Sequence, residues 1–342
     1  MSKVLLLTQV LPYPLDSGAK TRAYYVLRHL ALTHQVSLVS FVRAEDTVRS
    51  IDHLRQFCAQ VHTVPMRRSR WRDVAAGLCS ALSVKPLIIL RDEIGLMRRM
   101  LLHLVRTVAF DVIHADQTSM AQYALFARSC IRDPSQAART RLVLDVHNAL
   151  FRVPGQIAGR GGGWLLQMLA RREARVLERY ERTTYRAFDQ LVFLSAADCV
   201  ALGFSEADPI ASIIPICVSP SDTEAVSLVP EPRDITHLGT MVGPPNIAGV
   251  LWFAEQVLPL VLARVPEARF AIVGKHPPAE VEALAQAIPS IDVLGYVDDP
   301  IPILSQTGAF VVPLLSGAGM RVKILDAWCW GVPTVSTRLG AE

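Results

Sequence analysis

Arg321 and Lys323 stand two residues apart at the start of an amphipathic stretch, directly after the small-residue turn SGAG (316–319). The β-prone run AFVVPL (309–314) feeds that turn, and the spacing of apolar residues predicts a helix over about 320–330. The unpaired backbone N–H groups at such a helix start would point into the mouth of a sheet and make an anion site. A cation in the first helical turn is disfavoured by roughly 0.3–1 kcal/mol, because the helix dipole is positive there. A bound diphosphate reverses that sign, and each cation would then make a charge-assisted hydrogen bond worth on the order of 1.5–3 kcal/mol. The alternative is two surface cations tolerated in a solvated turn. Asp326 follows Lys323 by three residues and projects from nearly the same face, whereas Val322, Leu325 and Cys329 form the opposite stripe, expected to face the core. Its carboxylate, one turn deeper, can accept hydrogen bonds from a sugar's vicinal hydroxyls or pair with Lys323.

These residues need a frame, and the chain supplies one. Runs rich in β-branched residues alternate with helical periodicity: VLLLTQV (4–10), a helix over 19–32, QVSLVSFV (35–42), a helix over 45–59, AQVHTVPM (59–66), then basic helices. DVIHAD (111–116), RLVLDVH (141–147) and DQLVFLS (189–195) continue the series, with a long charged helix over 165–187 and a hinge or loop at GRGGGW (159–164). Strands spaced by helices predict parallel sheets. IPICVSPSDTEAVSLVPEPRD (214–234) lacks any period and is rich in Pro and Ser, so it reads as the linker. A second series follows: DITHLGT (234–240), a helix over 247–265, ARFAIVG (268–274), a helix over 279–288, IDVLGYV (291–297), AFVVPL, the helix over 320–330 and TVST (334–337). The domains expected are 1–215 and 233–342, joined by 216–232.

With 342 residues, 51% of them hydrophobic, the chain can fill two cores. Its unbroken apolar runs fall short of the roughly 18 residues that cross a bilayer, and the N-terminus reads as a buried strand rather than a signal peptide. Six cysteines stand far apart with no C-x-x-C pair, and the histidines have no metal-ligand spacing, so a reduced, cytoplasmic protein without a protein-built metal site is expected. Net charge is +4, but residues 66–106 hold nine cations against three anions. Interleaved with Trp71, Leu78, Leu82, Leu96, Met97, Met100, Leu101 and Leu104, they could lie on an anionic membrane surface or be the solvated face of ordinary helices. No recognition motif for nucleic acid accompanies the charge.

GTMVGPPNIAGVLWF (239–253), FAIVGKHP (270–277), LGYVDDPIPILSQTGAFVVPL (294–314) and SGAGMRVKILDAWCWGVPTVSTRLGAE (316–342) resemble, in order and spacing, the carboxy-terminal domain of the family 4 retaining glycosyltransferases (glycosyltransferase group 1, GT-B fold). The similarity is to the bacterial exopolysaccharide branch and covers nearly all of 234–342. The amino-terminal half resembles the family more loosely through LPYPLDSGAKTR, DVIHADQTSMAQYA and LDVHN. The resemblance implies an α/β GT-B fold, two Rossmann-like domains facing across a cleft, with a nucleotide-diphosphate sugar held by the second and a glycan or lipid-linked acceptor approaching from the first. It implies Gly319, Arg321 and Lys323 at the diphosphate, Asp326 at the ribose and Val297 near the base. Gly18 would let backbone approach the phosphates or sugar, or merely make a tight turn after Pro12 and Pro14.

The chain also departs from the family. Of the two glutamates that members commonly carry eight positions apart, one is replaced by Ala318 and the other by Asp326. Asp116 stands where many members have a second histidine after His114, so these two residues are placed near the reacting sugar, with His114 as a satisfied strand-end histidine the plainer reading. The basic pair expected after the first strand of the second domain is absent from GTMVGPPN. Members continue through further helices, which marks the chain as C-terminally truncated. The expected activity is metal-free, retaining sugar transfer in cell-surface glycan synthesis, on the cytoplasmic side or peripherally at the inner face of the membrane. The alternatives are a truncated, non-catalytic nucleotide-sugar-binding module, an epimerase, and a dinucleotide oxidoreductase, the last disfavoured by the lack of G-x-G-x-x-G.

Overall fold

A computed structural model describes residues 1–66, 69–154, 163–219, 225–241, 244–316 and 321–341. Contacts divide the chain into two compact units, Met1–Ile216 and Cys217–Glu342. Ala318 and Gly319, singled out in the sequence, lie outside the described residues, as does most of GRGGGW.

In the first unit seven parallel strands form one sheet: β1 (Lys3–Thr8), β2 (Gln35–Val42), β3 (Gln60–Pro65), β4 (Val112–Asp116), β5 (Arg141–Val146), β6 (Gln190–Phe193) and β7 (Ala211–Ile213). Their order is β3-β2-β1-β4-β5-β6-β7. β1 shows why the run KVLLLT is apolar throughout. Leu5 and Leu7 enter one core with Ile113 and Leu144, while Val4 and Leu6 enter the other with Leu27 and Leu38. A strand buried on both faces cannot alternate with polar residues.

The second unit repeats the plan with β8 (Asp234–Leu238), β9 (Phe270–Val273), β10 (Ile291–Gly295), β11 (Thr307–Val312) and β12 (Thr334–Ser336), in the order β10-β9-β8-β11-β12. Each sheet therefore reverses its winding once, between β1 and β4 and between β8 and β11. Such a switch opens a crevice at the carboxyl ends of the two strands.

Several expectations are corrected. β7 was not foreseen because ASI is too short to show a period. Residues 225–229, inside the supposed linker, are tied to the second unit: Val226 N donates to Trp330 O at 2.8 Å and Val229 N to Ser305 O at 2.8 Å. The helix expected over 247–265 runs Pro244–Leu262 with a π turn at Phe253–Val257. It is long and apolar enough to cross a membrane, but Val250, Phe253, Ala254 and Leu258 are buried in the second core, with the Phe253 and Phe270 rings 4.7 Å apart. The basic helix Gly95–Thr107 buries Met97, Leu101 and Leu104 against the first sheet, which removes those side chains from any membrane-facing surface.

Within the long helix Trp164–Tyr185, Glu181 is fully buried and accepts from Leu150 N at 3.1 Å, Phe151 N at 3.0 Å and Tyr185 Oη at 2.9 Å. It thereby fixes the loop that leaves β5. Burial pushes its carboxyl up to about 7, against hydrogen bonds that favour the charged form. Because the folded state holds this proton more tightly, the contribution is full below the usual carboxyl value of 4.5 and is lost as pH rises toward 7. The unfolding free energy measured in denaturant across that range should fall for the wild type relative to Glu181→Gln, by on the order of 3 kcal/mol in all; parallel pH profiles would refute the assignment.

Candidate functional site

The second switch point gathers polar groups around one glycine. Gly239 follows β8, and a Cβ built there would lie 2.6 Å from Lys323 Nζ, 3.0 Å from Asn246 Nδ2 and 3.0 Å from His237 Nε2. His237 is fully buried at the end of β8, and its Nδ1 lies 2.9 Å from Val311 O on the neighbouring strand β11. A carbonyl can only accept, so Nδ1 carries the proton and Nε2 is left as a lone pair without a partner. Burial, and then the charge of Lys323, lower the His237 pKa to about 3, which keeps the ring neutral. Lys323 Nζ donates to Asn246 Oδ1 at 3.2 Å, and Asn246 Nδ2 donates to Thr240 O at 2.9 Å. The Asn of the PPN stretch is thus held in one orientation by backbone at one end and aims its oxygen at the ammonium. Burial, with Arg321 beside it, lowers the Lys323 pKa to about 7. A cation so placed is short of an anion.

The helix bearing these residues is Val322–Trp330, two residues later than predicted, so Arg321 is the half-buried residue preceding it and Lys323 lies in its first turn. Its core stripe is also displaced. Ile324, Ala327 and Trp330 pack with Phe310, Val312 and Val332; of the predicted stripe Val322 is buried as expected, while Leu325 and Cys329 are half-buried and outside that cluster. That rotation turns Lys323 and Asp326 inward. Among the described residues Lys323 makes no ion pair with Asp326, whose carboxyl is raised to about 6 by burial. Val297 is half-buried in the loop beyond β10, which ends at Gly295 with φ +66°, rather than at the end of the strand.

In the first unit the parallel register sets Thr8, Asp116 and Asp145 side by side at the ends of β1, β4 and β5. Gly18, expected in a loop, instead opens the helix Gly18–Thr33, and Arg22 one turn later reaches into the row. Its Nε and Nη2 donate to the two oxygens of Asp145 at 3.0 and 3.3 Å, and its Nη1 donates to Pro215 O at 3.2 Å. His147 Nε2 lies 2.8 Å from Asp116 Oδ1. Burial by itself would lower the His147 pKa, but the Asp116 charge and hydrogen bond lift it above the ordinary value. His114 goes the other way, lowered by burial despite Asp145 and Asp116 nearby.

His114 is not the satisfied histidine expected, since its Nε2 is buried without a partner. The same holds for Thr8 Oγ1, Asp116 Oδ2, Gln117 Nε2 and Ser119 Oγ. Unpaired buried polar atoms are uncommon, and these five belong to the end of β1, to β4 and to the residues just after it. Asp116, Asp145 and His147 bring ligand atoms within 4.8 Å of one another, as a metal ion would need. Arg22 already occupies both oxygens of Asp145, however, so the trio fits ion pairing better than metal ligation. Sequence reasoning missed Arg22, Asp145 and His147. The motif LDVHN carried two of them, but their partners lie on other strands.

Residues 232–342 match the family described as glycosyl transferases group 1. Over the whole chain the fold is that of the GT-B glycosyltransferases. Anabaena HepE, crystallised with UDP and glucose, aligns with 99% of this chain and 82% of its own, at a TM-score of 0.59 and 14% identity. WaaG, a glycosyltransferase involved in lipopolysaccharide biosynthesis, aligns with 98% of this chain and 81% of its own, at a TM-score of 0.58 and 13% identity. In sequence the chain is 25% identical, over 360 aligned residues covering all of it and 84% of the relative, to an uncharacterized 44.6 kDa protein in the cps region of Klebsiella pneumoniae.

The glycosyltransferase domain makes a contrast between two glycines testable. A Cβ at Gly274 would lie within contact-forbidden range of the backbone oxygen of Gly239, whereas one at Gly239 meets chiefly the movable end of Lys323. Gly274→Ala should therefore destabilise the fold by roughly 1–3 kcal/mol. Gly239→Ala should keep the denaturant midpoint and displace Lys323, seen as a change in that lysine's titration by NMR. Equal stability of the two variants would contradict this packing.

Proposed function

We propose that the chain is a retaining glycosyltransferase that moves a sugar from a nucleotide-diphosphate donor to an acceptor hydroxyl. The observation that carries this reading is the half-buried Lys323, with no carboxylate partner among the described residues, set with Arg321 at the switch point of a domain matching the group 1 glycosyltransferases. Arg321, Lys323 and the turn containing Gly319 hold the diphosphate. Asp326, with Val297, takes the nucleoside, and Gly18 admits backbone to the phosphates or sugar. His114 and Asp116, with their unpaired atoms, face the reacting sugar or its acceptor. The bond from the anomeric carbon to phosphate oxygen breaks as the acceptor oxygen bonds to the same face of that carbon, and the acceptor proton passes to the departing phosphate. Guanidinium, ammonium and helix N-terminus stabilise the leaving charge, so the reading needs no metal.

The relative in the cps region and WaaG support a role in cell-surface glycan synthesis, with a cytoplasmic or membrane-peripheral setting and a glycan or lipid-linked acceptor. The basic segment 66–106 supplies part of that attachment.

A screen of labelled sugar nucleotides tests the reading. Arg321→Ala and Lys323→Ala should each lower turnover by about 100-fold or more; unchanged turnover in Arg321→Ala overturns it, and binding with no transfer to any acceptor leaves only a binding module. The pKa of Lys323 makes a second test. With the free ammonium at about 7, most of it is neutral at pH 8, and a diphosphate must recharge it. Calorimetry in buffers of different ionisation enthalpy should show proton uptake on nucleotide binding at pH 8, with affinity falling as pH rises above 7. Lys323→Ala should abolish the uptake, and its persistence in that variant would place the proton elsewhere.

A further inference from the structure

We infer that the first turns of the helix Trp164–Tyr185, together with the helix Arg70–Leu82 fastened to it, form a face that seats on an anionic bilayer. The inference rests on the membrane-peripheral part of the proposed function and relocates the contact, since most of the apolar side chains in Gly95–Thr107 are spent on the core.

Five of the first six residues of Trp164–Tyr185, namely Trp164, Leu165, Leu166, Met168 and Leu169, are large, apolar and exposed, and Trp164 is 77% exposed. At 3.6 residues per turn they cover about 200° of the helix surface, wider than the apolar stripe of roughly 100° that a helix ordinarily buries on one face. Exposed apolar side chains spread that widely at a helix end favour contact with an apolar phase. Beside it Trp71 is 84% exposed and Leu82 90% exposed, with Val74 and Val84 also open. Together they exceed the scattered apolar residues normal on a surface.

The charge says what covers the patch. Trp164, Met168, Arg171 and Arg175 recur on one helix face and, with Arg172 and Val176, line a groove of about 510 Å³. Arg171 and Arg175 are exposed and have no ion pair among the described residues. The one acid in these turns, Glu173, is turned away to accept from Leu87 N at 2.6 Å and Ser80 Oγ at 3.3 Å. Arg172 donates to the carbonyls of Ser80 and of Ser83, the latter at 2.6 Å. Glu173 and Arg172 thus join the two helices, leaving two free guanidinium groups above a ring of apolar side chains. Seven residues separate Trp164 from Arg171, about 10 Å along the axis. That matches an apolar end buried about 5–10 Å into the interface with cations at the level of the lipid phosphates. A second copy of the chain on this face would bring arginine against arginine, so the commitment is to anionic lipid.

Flotation with phosphatidylcholine vesicles, with and without phosphatidylglycerol, tests the assignment on the full chain. Binding is expected only with phosphatidylglycerol and should weaken with salt. It should drop at least about tenfold in Arg171→Glu/Arg175→Glu, and likewise in Trp164→Ser/Leu165→Ser, with denaturant midpoints and UDP affinity unchanged. Equal binding to both vesicle types, or undiminished binding by the variants, overturns it. So does a wild-type dimer that these variants convert to monomer without vesicle binding. Failure of the wild type to bind UDP or transfer sugar would instead strike the proposed function and leave the vesicle result standing.

Discussion

A half-buried ammonium that no carboxylate among the described residues pairs with is the constraint around which the second unit is arranged. Asn246 offers Lys323 a single neutral acceptor, and His237, kept neutral by its own burial and by the lysine, offers a lone pair but no charge. A buried cation normally requires a paired anion or loses its proton. Here no acid among the described residues supplies the pairing, at the place where β8 and β11 diverge; in the proposed function a diphosphate would. Gly239 keeps the space open, because any side chain there would fill the volume on which lysine, asparagine and histidine converge.

The first unit treats its charges differently. Arg22 and Asp145 neutralise each other bidentately, and Asp116 holds His147. These pairs hold the mouth of the sheet in one geometry while leaving the far oxygen of Asp116, Nε2 of His114 and the Thr8 hydroxyl unspent. The two units thus present complementary chemistry on the same architectural feature: a place for negative charge in one, a polar row suited to hydroxyls in the other. Glu181, buried behind the row, secures the loop after β5 and couples that geometry to pH.

Much of the fold was legible because strands buried on both faces must be apolar throughout, and KVLLLT and FAIV could be little else. The predicted alternation of strand and helix survives in both sheets. What failed did so for local reasons. β7 is three residues long, and the helix of 320–330 starts at Val322 with its core stripe on Ile324, Ala327 and Trp330. Periodicity finds a helix but does not fix its rotation to within a residue, and it cannot name the partner of Lys323, because Asn246 lies 77 positions away in the chain.

By itself the sequence determined the two parallel α/β units, the cationic pair after the small-residue turn and its resemblance to a glycosyltransferase domain, since these follow from local composition and spacing. Only the tertiary structure decided which polar groups meet. His237 faces Lys323, Arg22 grips Asp145 across 123 positions and His147 reaches Asp116 because parallel register aligns strand ends that are far apart in the chain. Burial then sets which of those groups carry charge, and burial is a property of the packed molecule, not of any residue's neighbours in sequence.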